Sequence, residues 1–218
     1  MSAPRRLLRG LYAITPVALC ADPARLLAAA AAALRGGAAL LQLRDKHGTA
    51  QARRANALAL AALCREHGAR LIVNDDVALA LDCGADGVHL GAADPPLAQA
   101  RAALGPRAIL GATCGPSLDR ARAAAAAGAD YLAFGRFFAS RTKPDAPPAP
   151  PDLLRRARGE FGVPLCAIGG ITPDNAAPLI ADGADLIAAV EGVFGDGTPT
   201  AVEAAARRYA RLFGEFDR

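Results

Sequence analysis

Between Leu71 and Asp94 the chain reads LIVNDDVALALDCGADGVHLGAAD, and two of its acids, Asp75 and Asp94, each follow a short apolar run. The runs Leu71-Ile72-Val73 and Gly87-Val88-His89-Leu90 have the length and continuity of strands buried on both faces. In a strand–helix–strand unit the two strands are parallel, and the loops leaving them lie on one face of the sheet. Asp75 and Asp94 then sit side by side at adjacent strand ends. Two carboxylates converging there make a site for a hard divalent cation such as magnesium. Each acid alone reads better as a helix N-cap; their pairing one unit apart favours the metal.

The ends of the other apolar runs carry a matching set of groups. Gln42-Leu43-Arg44-Asp45-Lys46 follows the second run, and alternation along a strand lets Gln42 and Arg44 point the same way, with Lys46 above them. Asn74 precedes Asp75, and Thr113 follows the fifth run. After the sixth comes Gly135-Arg136-Phe137-Phe138-Ala139-Ser140-Arg141-Thr142-Lys143-Pro144, and after the seventh Gly169-Gly170. Val190-Glu191 ends the eighth. Backbone N–H groups at a turn such as Gly169-Gly170 hold phosphate. Of 25 basic residues only Lys46 and Lys143 are lysines, which singles those two out in an arginine-biased chain. The inventory suggests a substrate phosphate on one side and a diphosphate, neutralised by metal and cations, on the other. No Ser-His-Asp or Cys-His arrangement is visible. His47 and His67 read as loop and helix-end residues, and His89 as a hydrogen-bonded structural residue in a strand. Cys114 and Cys166 read as packing residues. Such a site works by electrostatics and positioning rather than through a covalent intermediate.

The elements that position these residues follow from a weak internal repeat. A helical stretch ends in Gly-Ala, often Gly-Ala-Asp, and an apolar strand follows at once, as at Gly84-Ala85-Asp86, Gly128-Ala129-Asp130 and Gly183-Ala184-Asp185. Glycine ends a helix in a left-handed conformation. Strands are expected near 11–14, 39–43, 70–73, 87–90, 108–112, 131–134, 165–168 and 186–190, with a last helix over about 199–213. Eight strand–helix units predict a single (β/α)8 barrel domain over 1–218, with an open doubly wound sheet as the alternative. The proline-rich stretch 144–151 reads as a loop after strand six, not a domain boundary. We expect the loop 137–151 to close over substrate. The net charge of +4 and the lack of a basic tract with interleaved aromatics exclude a nucleic-acid binder. The five cysteines form no CxxC pair and read as thiols in a reducing cytoplasm. The apolar stretch 11–20 behind Arg5, Arg6 and Arg9 is broken by Tyr12, Thr15 and Pro16 and reads as a strand rather than a signal sequence. The alanine run 26–34 is too short to span a bilayer.

Taken in order, these motifs resemble the thiamine phosphate synthase (thiamine-phosphate pyrophosphorylase) family. The stretches that carry the resemblance are Leu11-Tyr12-Ala13-Ile14-Thr15, Gln42-Leu43-Arg44-Asp45-Lys46, Asn74-Asp75, Gly84-Ala85-Asp86-Gly87-Val88-His89-Leu90-Gly91, Gly135 with Ser140-Arg141-Thr142-Lys143-Pro144, and Ala167-Ile168-Gly169-Gly170-Ile171. The resemblance implies a transferase that joins 4-amino-5-hydroxymethyl-2-methylpyrimidine diphosphate to 4-methyl-5-(2-phosphoethyl)thiazole, giving thiamine phosphate and diphosphate. It also implies that diphosphate leaves first and that the thiazole nitrogen captures the resulting cation, with Mg2+ as cofactor. By position, Asp75 and Asp94 would ligate magnesium. Gln42, Arg44, Lys46, Asn74 and Lys143 would hold the pyrimidine diphosphate, with Thr113 where a serine is usual. Arg44, Lys46, Lys143 and Thr113 would be the catalytic group. Ser140 and Thr142, with backbone at Gly170, Val190 and Glu191, would hold the thiazole phosphate. The chain departs from the pattern at Pro16, at Ala92 and Ala93, and at Glu191, where serine is typical and a carboxylate would repel a phosphate. A homodimer is compatible with the resemblance.

Other readings weigh less. A homologous thiazole tautomerase would want a histidine where this chain has Arg136. A silent phosphate-binding barrel has no reason to keep Lys46 and Lys143. A sugar-phosphate epimerase needs an acid–base pair, and the carboxylates here are assigned to metal.

Overall fold

The computed structural model describes residues 8–142, 145–195 and 197–216. Eight strands alternate with helices: β1 (Gly10–Ile14), β2 (Ala38–Leu43), β3 (Arg70–Asn74), β4 (Gly87–Leu90), β5 (Ile109–Gly115), β6 (Tyr131–Phe134), β7 (Leu165–Ile168) and β8 (Leu186–Ala189). Every neighbouring pair is parallel, and β8 returns to pair with β1 from Gly10↔Leu186 to Ala13↔Ala189. That closure makes the sheet a (β/α)8 barrel and rules out the open sheet. The helices are α1 (Val17–Cys20), α2 (Pro23–Arg35), α3 (Ala50–Glu66), α4 (Val77–Cys83), α5 (Leu97–Leu104), α6 (Leu118–Ala126), α7 (Leu153–Glu160), α8 (Ala177–Ala181), α9 (Glu191–Phe194) and α10 (Pro199–Phe216). None of the described helices is long and apolar enough to cross a membrane.

Two cores follow from strand alternation. One set of side chains, among them Leu11, Leu41, Val73, Val88 and Leu110, packs outward under the helices, where alanines such as Ala29, Ala33 and Ala57 let the helices lie close. The other set points into the barrel: Tyr12, Ile14, Leu40, Ile72, Tyr131, Ala133, Cys166, Leu186 and Ala188. All five cysteines are buried free thiols.

The Gly-Ala-Asp repeat has a physical role that the sequence alone does not reveal. Asp86 accepts the backbone N–H of Leu71 at 2.9 Å and pairs with Arg70 at 2.8 Å. Asp130 accepts from Leu110 N at 2.8 Å and pairs with Arg101 at 2.7 Å. Asp185 accepts from Leu165 N at 2.8 Å and pairs with Arg158. In each case a carboxylate at the start of one strand receives an N–H from the first or second residue of its neighbour and is neutralised by an arginine. These clamps all lie at the N-terminal end of the barrel, the face associated with stability. The opposite face is left to loops.

Strand limits differ from expectation in two places that matter. β5 continues to Gly115, so Thr113 lies inside a strand rather than after it. β8 stops at Ala189, and Val190 is the N-cap of the short helix α9 that opens with Glu191. Backbone carbonyls at 188–190 therefore give way to helix-entry N–H groups at the barrel mouth, where anions are favoured.

Candidate active site

A cavity of about 1000 Å³ opens at the C-terminal end of the barrel. Its depth is set by strand alternation. Tyr12, Gln42, His89, Thr113, Ala133, Cys166 and Ala188 project inward from seven different strands and form its floor and lower wall. Arg44 continues the inward row Leu40–Gln42 one step past β2, as the alternation predicts, and reaches the mouth. A smaller cavity of about 640 Å³ adjoins it and shares Arg44, Lys46, Arg141, Thr142, Val190 and Glu191.

One wall of the mouth is charged. Asp75 follows β3 directly with φ 65°, a left-handed conformation that aspartate tolerates better than most residues. Asp75 is not the helix cap. Asp76 is, accepting from Leu79 N at 2.9 Å and leaving Asp75 turned toward the cavity. Nor is Asp94 a cap, since Pro96 holds that place at α5, and Asp94 Oδ2 instead accepts from Gly91 N at 2.6 Å. The alternative reading of both acids as N-caps thus does not hold. Lys46 forms an ion pair with Asp75, and Asp94 stands beside it on the same wall. Burial pushes Asp75 up, but the Lys46 ammonium and its interaction with the neighbouring Asp94 hold it below the usual carboxylate range. Asp94 goes the other way, raised by burial and by its neighbour Asp75 despite the N–H of Gly91. Two carboxylates this close repel one another, and a cation bound to both would relieve that repulsion further than Lys46 alone does. This donor set of hard oxygens fits a divalent cation. Among the described residues no third His, Cys, Asp or Glu joins the pair. Magnesium in general takes one or two carboxylates and completes its shell with water and other oxygens.

The facing wall is built by the loop after β6. Phe137 N donates to Ile168 O at 3.2 Å and Phe138 N to Gly169 O at 3.0 Å, while Arg136 Nε donates to Ala146 O at 2.8 Å. This packing needs a bare backbone at Gly170, whose φ is 63° and where a Cβ would lie 2.1 Å from Ala139 O. Ser140 and Thr142 line the cavity beside Gly170. Lys143 lies outside the described residues. Across the mouth, the Glu191 carboxylate sits 3.7 Å from the Arg141 guanidinium. Glu191 therefore has a cationic neighbour, which moderates the repulsion its charge would exert on a phosphate.

All the other residues singled out from the sequence line this one cavity: Gln42, Arg44, Lys46 and Asn74 on the β2–β3 side, Thr113 below, and Val190 with Glu191 at the β8 end. Sequence reasoning missed Tyr12, Tyr131 and Arg120. It also took His89 as structural. His89 is indeed hydrogen-bonded, but it forms part of the cavity wall. Cys166 also lines the cavity, yet burial pushes its thiol far up, and Cys114 is pushed up to about 12 for the same reason. Neither is a thiolate nucleophile.

Chemistry in closed parallel barrels is done on the face where this cavity opens, which places the chain among the (β/α)8 enzymes. Comparison with known proteins narrows the class. A family model described as "Thiamine monophosphate synthase" matches residues 11–193. Thiamine-phosphate synthase of Thioalkalivibrio sulfidiphilus is 57% identical over 206 residues, covering 94% of this chain and 96% of that one. The enzyme of the same name from Alcanivorax borkumensis is 51% identical, with 96% of each chain covered. A solved thiamine phosphate pyrophosphorylase from Pyrococcus furiosus superimposes with a TM-score of 0.83 at 33% identity, covering 94% of this chain and 96% of that one. The chain belongs to the thiamine monophosphate synthase family and is a transferase.

Proposed function

We propose that this cavity joins 4-amino-5-hydroxymethyl-2-methylpyrimidine diphosphate to 4-methyl-5-(2-phosphoethyl)thiazole, releasing thiamine phosphate and diphosphate. The observation that carries this reading is the meeting of Asp75, Asp94 and Lys46 on one wall of a cavity whose opposite wall is a glycine turn with two hydroxyl residues.

In the proposed step the bond between the pyrimidine methylene carbon and the diphosphate oxygen breaks, and its electron pair leaves with the diphosphate. The thiazole nitrogen then gives its lone pair to the vacated carbon. Nothing in that sequence needs an enzymic nucleophile, in keeping with the protonated thiols of Cys114 and Cys166. Bound between Asp75 and Asp94, magnesium would neutralise charge on the leaving diphosphate. The protein's own part is positional and electrostatic. Lys46 and Arg44 put positive charge where the leaving group gathers negative charge. Asn74 and Gln42 orient the pyrimidine portion from the β2–β3 side. Ser140, Thr142 and the backbone at Gly170 and Val190 hold the phosphate of the thiazole partner. The loop after β6, described at 137–142 and from 145 onward, would shield the electron-poor carbon from water, as such an intermediate requires.

Incubation of the purified protein with both compounds, followed by mass-resolved product analysis, tests this reading. One thiamine phosphate and one diphosphate per pair of substrates consumed is the expected result. Isomerisation of the thiazole without condensation would replace it with a tautomerase.

A further inference from the structure

Beneath the charged mouth, five side chains from five strands form one continuous hydrogen-bonded chain. Gln42 Nε2 donates to Tyr12 Oη at 2.5 Å, and Tyr12 Oη lies 2.9 Å from Tyr131 Oη. Tyr131 Oη is 2.8 Å from His89 Nδ1, and His89 Nε2 is 2.8 Å from Thr113 Oγ1. Ring contacts brace it: Tyr12 meets Tyr131 edge-on at 5.8 Å, and His89 stacks on Tyr131 at 5.6 Å. Room for the Tyr131 ring exists because residue 111 on the neighbouring strand is glycine, where a Cβ would sit 2.0 Å from the ring. Tyr131 is buried beneath the cavity, Tyr12 and Gln42 are buried in its floor, and the half-buried His89 and Thr113 line it above them.

The chain has a direction. A hydroxyl has one hydrogen to give and lone pairs to receive, and a neutral imidazole gives from one nitrogen and receives on the other. With Gln42 donating to Tyr12, the Tyr12 hydrogen goes to Tyr131 and the Tyr131 hydrogen to His89 Nδ1. His89 then carries its proton on Nε2 and donates it to Thr113. Run the other way, Tyr12 would receive from both Gln42 and Tyr131, and its own hydrogen would be left out of the chain. Burial keeps both phenols protonated, as this order requires.

We infer that Tyr12, Tyr131 and His89 are positioning residues: they hold the Thr113 hydroxyl with its lone pair occupied from below, so that its hydrogen is presented to the cavity as a donor for an acceptor atom of the pyrimidine diphosphate. The nature of that acceptor rests on the function proposed above; the order of the chain does not. A hydroxyl fixed as donor is preorganised for its partner, whereas a free rotor must be ordered at each binding event.

The order is read directly by NMR of the full-length protein carrying 15N-histidine, without substrate, using the His89→Gln variant to assign the His89 signal among the three histidines. A one-bond 15N–1H coupling at Nε2 alone is expected. Coupling at Nδ1, at both nitrogens, or an averaged signal would overturn the inference. Kinetics supply the second arm. Gln places an amide N–H near the former Nε2 position and keeps the donor to Thr113, while Asn reproduces only the Nδ1 side. His89→Gln should stay within about threefold of wild-type kcat/KM, and His89→Asn should lose about tenfold or more, the scale of one hydrogen bond. Equal losses would reduce His89 to a packing residue and overturn the proposal. If the wild-type protein makes no product at all, the proposed function fails instead, and the NMR result still decides the order of the chain.

Discussion

Substituting Asn for Asp75 (D75N) removes one unit of charge and keeps the shape. Asparagine accepts the left-handed backbone at φ 65°, so the turn after β3 is preserved. The effect on stability is small. The Lys46–Asp75 pair is partly solvated, with side chains 45% and 28% exposed, and such pairs contribute at most about 1 kcal/mol. Its loss is offset by relief of the crowding between Asp75 and Asp94. The melting temperature should therefore move by no more than about 3 °C. The effect on function is large. Two unit charges about 4 Å apart at an effective dielectric near 20 interact by about 4 kcal/mol, and a divalent cation doubles that. Hydration of both partners cancels half or more, leaving about 2–4 kcal/mol. At about 1.4 kcal/mol per factor of ten, activity at a fixed low magnesium concentration falls roughly 30- to 1000-fold. The assay is the initial rate of diphosphate release against magnesium concentration, with a thermal melt on the same sample. D75N should need far more magnesium and still reach a lower rate. Full activity at low magnesium in a normally folded D75N protein would refute the metal assignment.

Two further outcomes follow from geometry elsewhere. Gly170→Ala places a Cβ 2.1 Å from Ala139 O at a positive φ, so the loop 137–142 must shift; the Michaelis constant for the thiazole phosphate should rise about tenfold or more, with a loss of about 1–3 kcal/mol in stability by denaturant titration, and an unchanged constant would mean the turn does not hold that phosphate. On the outer surface, Arg35 and then Arg207 hold the Glu203 carboxyl below its usual range and join α10 to α2. A depressed carboxyl stabilises the fold above its unfolded value, and that contribution disappears as pH falls through the folded one. Glu203→Gln should melt up to about 2 °C below wild type at neutral pH, with the gap closing below the ordinary glutamate range; a gap independent of pH would contradict the ion-pair account.

The barrel was legible because its signals are local. Each Gly-Ala step and each short apolar run falls within a few residues, and eight of them in series leave few topologies. The mouth residues were legible for a related reason: once the strands are placed, whatever follows each one must lie on the same face. What stayed hidden depends on register or on the exact turn. Asp75 and Asp76 are adjacent acids, and only the backbone at φ 65° shows which caps α4 and which faces the cavity. The hydrogen-bonded floor joins residues 12, 42, 89, 113 and 131, which meet only through the stagger of the closed barrel, so no spacing rule finds them. The acids of the Gly-Ala-Asp repeat looked like helix-end punctuation, yet each receives an N–H from the beginning of a neighbouring strand. Glu191 was read as out of place beside a phosphate because its arginine partner lies fifty residues away in sequence.

Diphosphate release by the wild-type protein, measured with both substrates, with each one omitted in turn, and with and without magnesium, tests the central claim most directly. The account predicts release only when the pyrimidine diphosphate, the thiazole phosphate and magnesium are all present. Release that ignores magnesium, or none at all from folded protein, would contradict it.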